Sequence, residues 1–300
     1  MNITIIGTGL MGCSLGLALK KGGHFITGVD HNPLHLEQAE SIGAIDKAME
    51  MTDALVNADL VVIGVPVDAT VRILPHVLNS VPENATVMDL GSTKLEICNA
   101  IRNHHRRGIF VPVHPMAGVE HSGPLAAHID LYINAKGIIC EPQISTYQSL
   151  NVVLGILQEL KMRAIFMDTE DHDRQLALVS HLPQVMAYAL ASMGDFELKA
   201  NKQWVELGGG GLQSSIRLGK SDANMWMPIF QQNKDNITGY IDNYINQLTK
   251  LRKLIVENDQ ATLNENITKA NLNYEKLNYR QNKNKKSVEL QQGSPKVFYS

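Results

Sequence analysis

The 300-residue sequence predicts an α/β domain built on a doubly wound parallel sheet, followed by an all-α domain. Three observations carry this: a glycine-spaced turn behind the first apolar run, an alternation of short apolar runs with amphipathic segments, and a change of character after Asp168. Residues 2–6 form a short run dominated by β-branched apolar side chains, and "CSLGLALKKGG" behind them has helical periodicity and a glycine stop, which reads as strand, turn and helix. "FITGVD" (25–30), "PLHLEQAESIG", "ADLVVIGVP" (58–66), "ATVRILPHVLNSV" and "ATVMDLG" (85–91) repeat the pattern. Continuous apolar strands alternating with amphipathic helices are the signature of a parallel sheet covered on both faces. "GIFVPVHP" (108–115), "GIICEP" (137–142) and "RAIFMD" (163–168) are expected to continue that sheet. Beyond Asp168, "TEDHDRQLALVSHLPQVMAYALASM" and "NMWMPIFQQNKDNITGYIDNYINQLTKLRKLIVEN" are helical in pattern and lack strand alternation. The expected division is a nucleotide domain over 1–168, a helical substrate and dimerisation domain over 169–270, and a polar tail over 271–300, frayed or partly helical.

Composition narrows the function classes. With 44% hydrophobic residues the chain has ample material for two cores, and a formal net charge of −3 provides no general attraction to nucleic acid or to an anionic membrane. The basic cluster Lys283, Lys285 and Lys286 reads as a solvated tail. Three cysteines, Cys13, Cys98 and Cys140, lack metal-ligand spacing and fit a reducing compartment, so no metal is expected. The opening "MNITIIGTG" leaves no room for a secretory leader, and no apolar run looks long enough to span a bilayer, so the expectation is a soluble cytoplasmic protein.

"GTGLMG", comprising Gly7, Thr8, Gly9, Leu10, Met11 and Gly12, has the G-x-G-x-x-G spacing between the first strand and first helix, which makes the sheet Rossmann-type. The first glycine permits the turn, the second lets a pyrophosphate approach the backbone, and the third lets helix and strand pack closely. Asp30 ends the next strand 18 residues after Gly12, where its carboxylate can accept hydrogen bonds from ribose hydroxyls and repel a 2′-phosphate. No Arg or Lys follows among His31, Asn32 and Pro33, so NAD is favoured over NADP. Val65 and Pro66, just past a strand, either wrap the cofactor or form an ordinary strand-to-helix turn.

Four segments in order behind this loop, "DLGSTK" (89–94), "HPMAGVEHSG" (114–123), "SHLPQ" (180–184) and "GGGGLQSSIRLGKSDANMW" (208–226), resemble the prephenate dehydrogenase family over about residues 1–260. The resemblance implies NAD-dependent oxidative decarboxylation of prephenate to 4-hydroxyphenylpyruvate in tyrosine biosynthesis; arogenate dehydrogenases share the pattern. Hydride leaves the ring carbinol carbon, its hydroxyl loses a proton, and loss of the carboxylate aromatises the ring. A histidine at the end of a buried strand, with an ordinary pKa near 6.5, suits the base, and His114 takes that role. By the same resemblance Ser92 bonds the histidine and the ring hydroxyl, Arg217 binds a substrate carboxylate, and Glu120, His181 and Trp226 line the substrate pocket. Read from residue chemistry alone, the alternative to each role is a helix cap for Ser92, a surface ion-pair partner for Arg217, a solvated acid for Glu120 and a core residue for Trp226. His172 and His181, nine residues apart on one helix, should point to opposite faces and share no metal. Leu212 and Gln213 stand where many relatives carry a Phe-Arg pair, which leaves the choice between prephenate and arogenate open.

Two other classes compete. A helical-domain dehydrogenase of another kind would use a lysine as acid/base, here Lys199 or Lys202, and a non-catalytic NAD sensor would need neither Ser92, His114 nor Arg217. The resemblance also implies a homodimer formed through the helical domain, and the ends of the chain suggest a monofunctional enzyme without an added mutase or regulatory module.

Overall fold

The structure, a computed structural model, describes residues 1–119, 121–200 and 208–292, with side chains described over 1–119, 121–194 and 208–277. The chain divides into two compact units, Met1–Tyr240 and a second from Ile241 onward.

The first unit opens with β1 (Asn2–Ile6), α1 (Leu10–Lys20), β2 (Phe25–Val29), α2 (Pro33–Ser41), β3 (Lys47–Ala48), α3 (Met51–Leu55), β4 (Leu60–Ile63), α4 (Val67–Ser80), β5 (Thr86–Asp89), α5 (Leu95–Ala100) and β6 (Phe110–Val111). The sheet order is β3-β2-β1-β4-β5-β6, parallel throughout, with the reversal of strand order between β1 and β4. Alternate residues of each strand feed two cores. Ile3, Ile5, Leu60 and Val62 join Leu15 and Leu19 of α1 on one face, while Ile6, Val61 and Ile63 join Leu74 and Val77 of α4 on the other. Apolar runs without polar alternation are thus explained by burial on both sides.

The sheet ends earlier than the sequence suggests. β7 (Val113–Met116), β8 (Lys136–Cys140) and β9 (Arg163–Met167) form a separate three-stranded sheet, in which β7 pairs antiparallel with β8 and β8 pairs parallel with β9. The break falls at Pro112, which has no N–H to continue a ladder. Its carbonyl instead accepts from Cys140 N at 3.0 Å, and Val113 N donates to Asp89 Oδ1 at 3.1 Å. His114 therefore stands on an antiparallel strand, opposite Ile138, rather than on the sixth parallel one.

α6 (Tyr147–Glu159) covers the first core, with Val153, Ile156 and Leu157 buried. α7 (Thr169–Leu176), a π-helical turn (Ala177–His181) and α8 (Leu182–Ala200) then run on without a break. Against the expectation from sequence, the stretch Thr169–Gly194 is long and apolar enough to cross a membrane by length and composition. Here it is tied into the protein by buried His172, Asp173, His181 and Gln184. α9 (Gly210–Ile216), α10 (Ala223–Gln232) and α11 (Lys234–Val256) follow, and Trp226 and Ile229 of α10 enter the second core of the sheet. In the second unit, α12 (Gln260–Gln292) is one helix that includes most of the expected tail.

Candidate active site

The nucleotide loop is decided by steric constraints at its three glycines. Gly7 has φ +99°, and a Cβ there would lie 2.7 Å from the Gly64 backbone at the end of β4. A Cβ on Gly12 would meet the Gly7 carbonyl oxygen at 2.0 Å, so this glycine lets α1 close onto the turn. At Gly9 a Cβ would meet nothing within 4 Å, and this residue caps α1 without any side-chain bond. Open space before an uncapped helix N-terminus, at the reversal of strand order, fits the pyrophosphate of a dinucleotide.

Asp30 is more committed than its sequence position implied. Oδ2 accepts from Thr8 N at 2.8 Å and Thr8 Oγ1 at 3.1 Å, and Oδ1 accepts from Asn32 N at 2.9 Å, so the carboxylate braces the glycine loop. Carboxylate oxygens carry further lone pairs, which leaves acceptor capacity for ribose hydroxyls. The rings of His31 and His35 approach it at 3.3 and 3.5 Å. Val65 lies against Gly7, and Pro66 starts α4 by accepting from Thr70 N at 2.9 Å.

A second cluster gathers where β5 ends and β7 begins. Asp89 ends β5; its carboxylate accepts from Gly91 N, Val113 N and the Lys94 ammonium, and Asp89 and Lys94 are both fully buried. Ser92, half-buried, lies in this turn between Asp89 and Lys94, and Val113 brings His114 to the same turn. The cap of α5 is not Ser92 but Asp173 of α7, whose two oxygens accept from Lys94 N at 2.8 Å and Leu95 N at 3.0 Å.

His114 is nearly buried, with its Nδ1 2.9 Å from His172 Nε2, and His172 Nδ1 is 2.7 Å from Asp173 Oδ1. Burial, then the neighbouring His172, Lys94 and His181, hold His114 well below the usual imidazole range, so it is neutral at physiological pH. Burial also lowers His172, against the opposing pull of Asp173. His181, in the π-helical turn, is pushed down to about 4, chiefly by burial. Asn233 joins the two halves of the cluster, donating from Nδ2 to the Asp173 carbonyl at 2.7 Å and lying 3.1 Å from His181 Nδ1. The His181 ring stands edge-on to Trp226 at 5.9 Å, and His181 Nε2 and Trp226 Nε1 are buried with no hydrogen-bond partner among the described residues.

The structure thus links His114 to His181 and Trp226 through His172, Asp173 and Asn233, with Ser92 in the turn between Asp89 and Lys94. Arg217 is exposed at the start of a 3₁₀ turn (Arg217–Lys220), which is held to α8 by Gln184 Nε2 donating to Leu218 O at 2.7 Å. Gln213 is exposed on α9. Glu120 and Lys202 lie outside the described residues, as does the side chain of Lys199. Sequence reasoning missed Asp89, Lys94, His172, Asp173 and Asn233 as parts of the cluster. The motif "DLGSTK" contained both ends of the buried pair, whereas "EDHDR" reads as a solvated helix start.

Comparison with known proteins agrees over both halves. Residues 15–166 match the family model "Prephenate dehydrogenase, nucleotide-binding domain" and residues 168–269 match "Prephenate dehydrogenase, dimerization domain". A cyclohexadienyl dehydrogenase of Zymomonas mobilis is 29% identical over 270 residues, 89% of this chain and 92% of that protein. A prephenate dehydrogenase of Bacillus subtilis is 29% identical over 87% of this chain and 72% of its own length. Among solved structures, the prephenate dehydrogenase of A. aeolicus, crystallised with hydroxyphenyl propionate and NAD+, superposes with a TM-score of 0.79 at 28% identity, covering 92% of this chain and 98% of that one. With a glycine loop shaped for a dinucleotide, a nearly buried histidine next to the turn that ends β5, and both family models matched in sequence order, the chain belongs to the prephenate dehydrogenase family.

Proposed function

We propose that this chain is an NAD-dependent prephenate dehydrogenase that converts prephenate to 4-hydroxyphenylpyruvate and carbon dioxide in tyrosine biosynthesis. The observation that carries this reading is His114, neutral and nearly buried at the turn that ends β5. NAD, held by Gly7, Gly9, Gly12 and Asp30, with Val65 and Pro66 at the edge of the loop, supplies the hydride acceptor. His114 removes the proton from the ring hydroxyl as the carbinol C–H bond breaks. Loss of the ring carboxylate then sends its bonding electrons into the ring, the oxygen becomes a phenolate, and His114 returns the proton to it. Atoms and charge balance without a second base.

Ser92 sits in the same turn and is assigned to the hydroxyl. Arg217, with its planar charged fork, is assigned to a substrate carboxylate. His181 Nε2 and Trp226 Nε1, buried and without hydrogen-bond partners among the described residues, suit the oxygen atoms of the anionic side chain. Glu120 is kept as a pocket residue from the motif. Residues 1–168 serve as the nucleotide domain, 169–270 as the substrate and dimerisation domain, and 271–300 as an appended polar segment. Exposed Leu178, Val179, Leu190 and Met193 on the α7–α8 run are suited to a second copy, so the working state is a cytoplasmic homodimer.

Gln213 favours a second reading, because a neutral amide in place of an arginine suits the zwitterionic side chain of arogenate. NADH formation from prephenate and from arogenate, each with NAD and NADP and with the ring product identified, tests both. Turnover of prephenate with NAD supports the first, a preference for arogenate the second, and inertness with NAD still bound overturns both.

A further inference from the structure

Among buried titratable groups, His172 and Asp173 have no role in the reaction as described so far. We propose that they are positioning residues for His114: Asp173, His172 and His114 form a one-way hydrogen-bond relay that fixes the base with its proton on Nδ1 and its lone pair on Nε2. The inference rests on His114 being the base.

The direction follows from counting donors. Both Asp173 oxygens already accept from backbone N–H groups, Lys94 N at 2.8 Å and Leu95 N at 3.0 Å, and a backbone N–H has nothing to accept with. Oδ1 therefore accepts again from His172 Nδ1 at 2.7 Å, so the proton of His172 is on Nδ1. Neutral His172 then offers only the lone pair of Nε2, and His114, 2.9 Å away, must donate from Nδ1. What remains on His114 is an unprotonated Nε2 on the opposite edge of the ring, where a substrate hydroxyl can deliver its proton. The second histidine serves where a carboxylate alone would stand in the more familiar two-membered arrangement, in which a buried acid fixes the tautomer of a histidine base.

The surroundings keep this relay in one state. α5 and the turn before it present the Lys94 ammonium, which Asp89 neutralises within the same buried pair. The π-helical turn presents His181, which Asn233 ties back to the Asp173 carbonyl. When His114 takes the hydroxyl proton on Nε2, no bond in the relay breaks: its Nδ1–H stays donated to His172, whose own Nδ1–H stays donated to Asp173. The new positive charge is then stabilised along a line that ends in a carboxylate.

The test uses the full-length protein with prephenate and NAD. His172→Leu should lower kcat about 100-fold while leaving the KM for prephenate and NAD affinity within about threefold, because only orientation and tautomer of the base are lost. His172→Gln, which returns an acceptor toward His114 Nδ1, should recover at least a tenth of the wild-type rate. Histidine ¹⁵N shifts of the unmodified protein read the tautomer directly and do not depend on any variant folding: a proton on His114 Nδ1 is expected, and one on Nε2 overturns the relay. Equal rates for the Leu and Gln variants also overturn it. His114→Asn separates this from the reading beneath it. If that variant keeps near wild-type turnover the base assignment itself falls, whereas collapse of His114→Asn with an unimpaired His172→Leu sinks only the relay.

Discussion

The nucleotide loop and the polar cluster around His114 lie in one fold but are built by different means. The loop uses backbone shape: at Gly7, Gly9 and Gly12 what matters is the space a Cβ would take, and Asp30, within the same 24 residues, braces the turn with its carboxylate. The cluster uses side-chain charge and hydrogen bonding, and its members, Asp89, Lys94, His114, His172, Asp173, His181 and Asn233, come from five separated segments. A site made chiefly of backbone is sensitive above all to volume, while a site made of buried polar side chains is tolerant of neither a missing partner nor a changed proton count.

The largest effect should come from breaking the cluster at its most buried point. Lys94→Met leaves the Asp89 carboxylate buried without its cation, and the expected cost is about 4 kcal/mol in a urea unfolding curve, with activity lost as well. A change under 1 kcal/mol would mean that the pair contributes nothing to the fold. In the loop, Gly12→Ala places a methyl carbon 2.0 Å from a carbonyl oxygen that cannot swing away, and should cost about 3 kcal/mol.

Acid should separate the two regions next. His181 is held at about 4 when folded against an ordinary 6.5, and His114 and His172 are also lowered. Each of these rings is neutral in the folded chain and gains a proton on unfolding, so their stabilising share is complete above pH 6.5 and is lost as the pH falls below it. For His181 alone the loss at pH 5 is about 2 kcal/mol, read by comparing urea midpoints at pH 7.5 and pH 5. A flat profile would show that these rings are protonated or solvated in the native state.

The mildest effect belongs to Gly9→Ala. Its methyl group enters open space, so stability should change by less than about 1 kcal/mol while NAD affinity falls about tenfold through lost backbone approach. Thermal melting and a fluorescence titration together check both halves. Unchanged affinity would place the pyrophosphate elsewhere.

Much of this is legible in the sequence. Apolar strand runs announce burial on both faces, and the spacing of Gly7, Gly9, Gly12 and Asp30 carries the nucleotide site, because these are local properties of adjacent backbone. The three-stranded sheet was not, since Pro112 marks a break but does not name β8 as the new partner. Nor was the relay: "DHD" in a polar stretch looks like a solvated helix start, and only the packing of α7 on the start of α5 buries His172 and Asp173. The π-helical turn is equally silent in a helical sequence pattern, though it carries His181.

Taken by itself, the sequence determined the strand and helix alternation, the dinucleotide loop, the motifs of the family and the histidine we propose as base, because periodicity, steric need for glycine and motif spacing are written along the chain. The tertiary structure alone decided that β7 leaves the parallel sheet, that Asp30 braces Thr8, and that Asp173 both caps α5 and orients His172 toward His114. Those facts depend on which distant groups meet away from water, and a buried polar atom acquires its role from whatever partner folding brings to it.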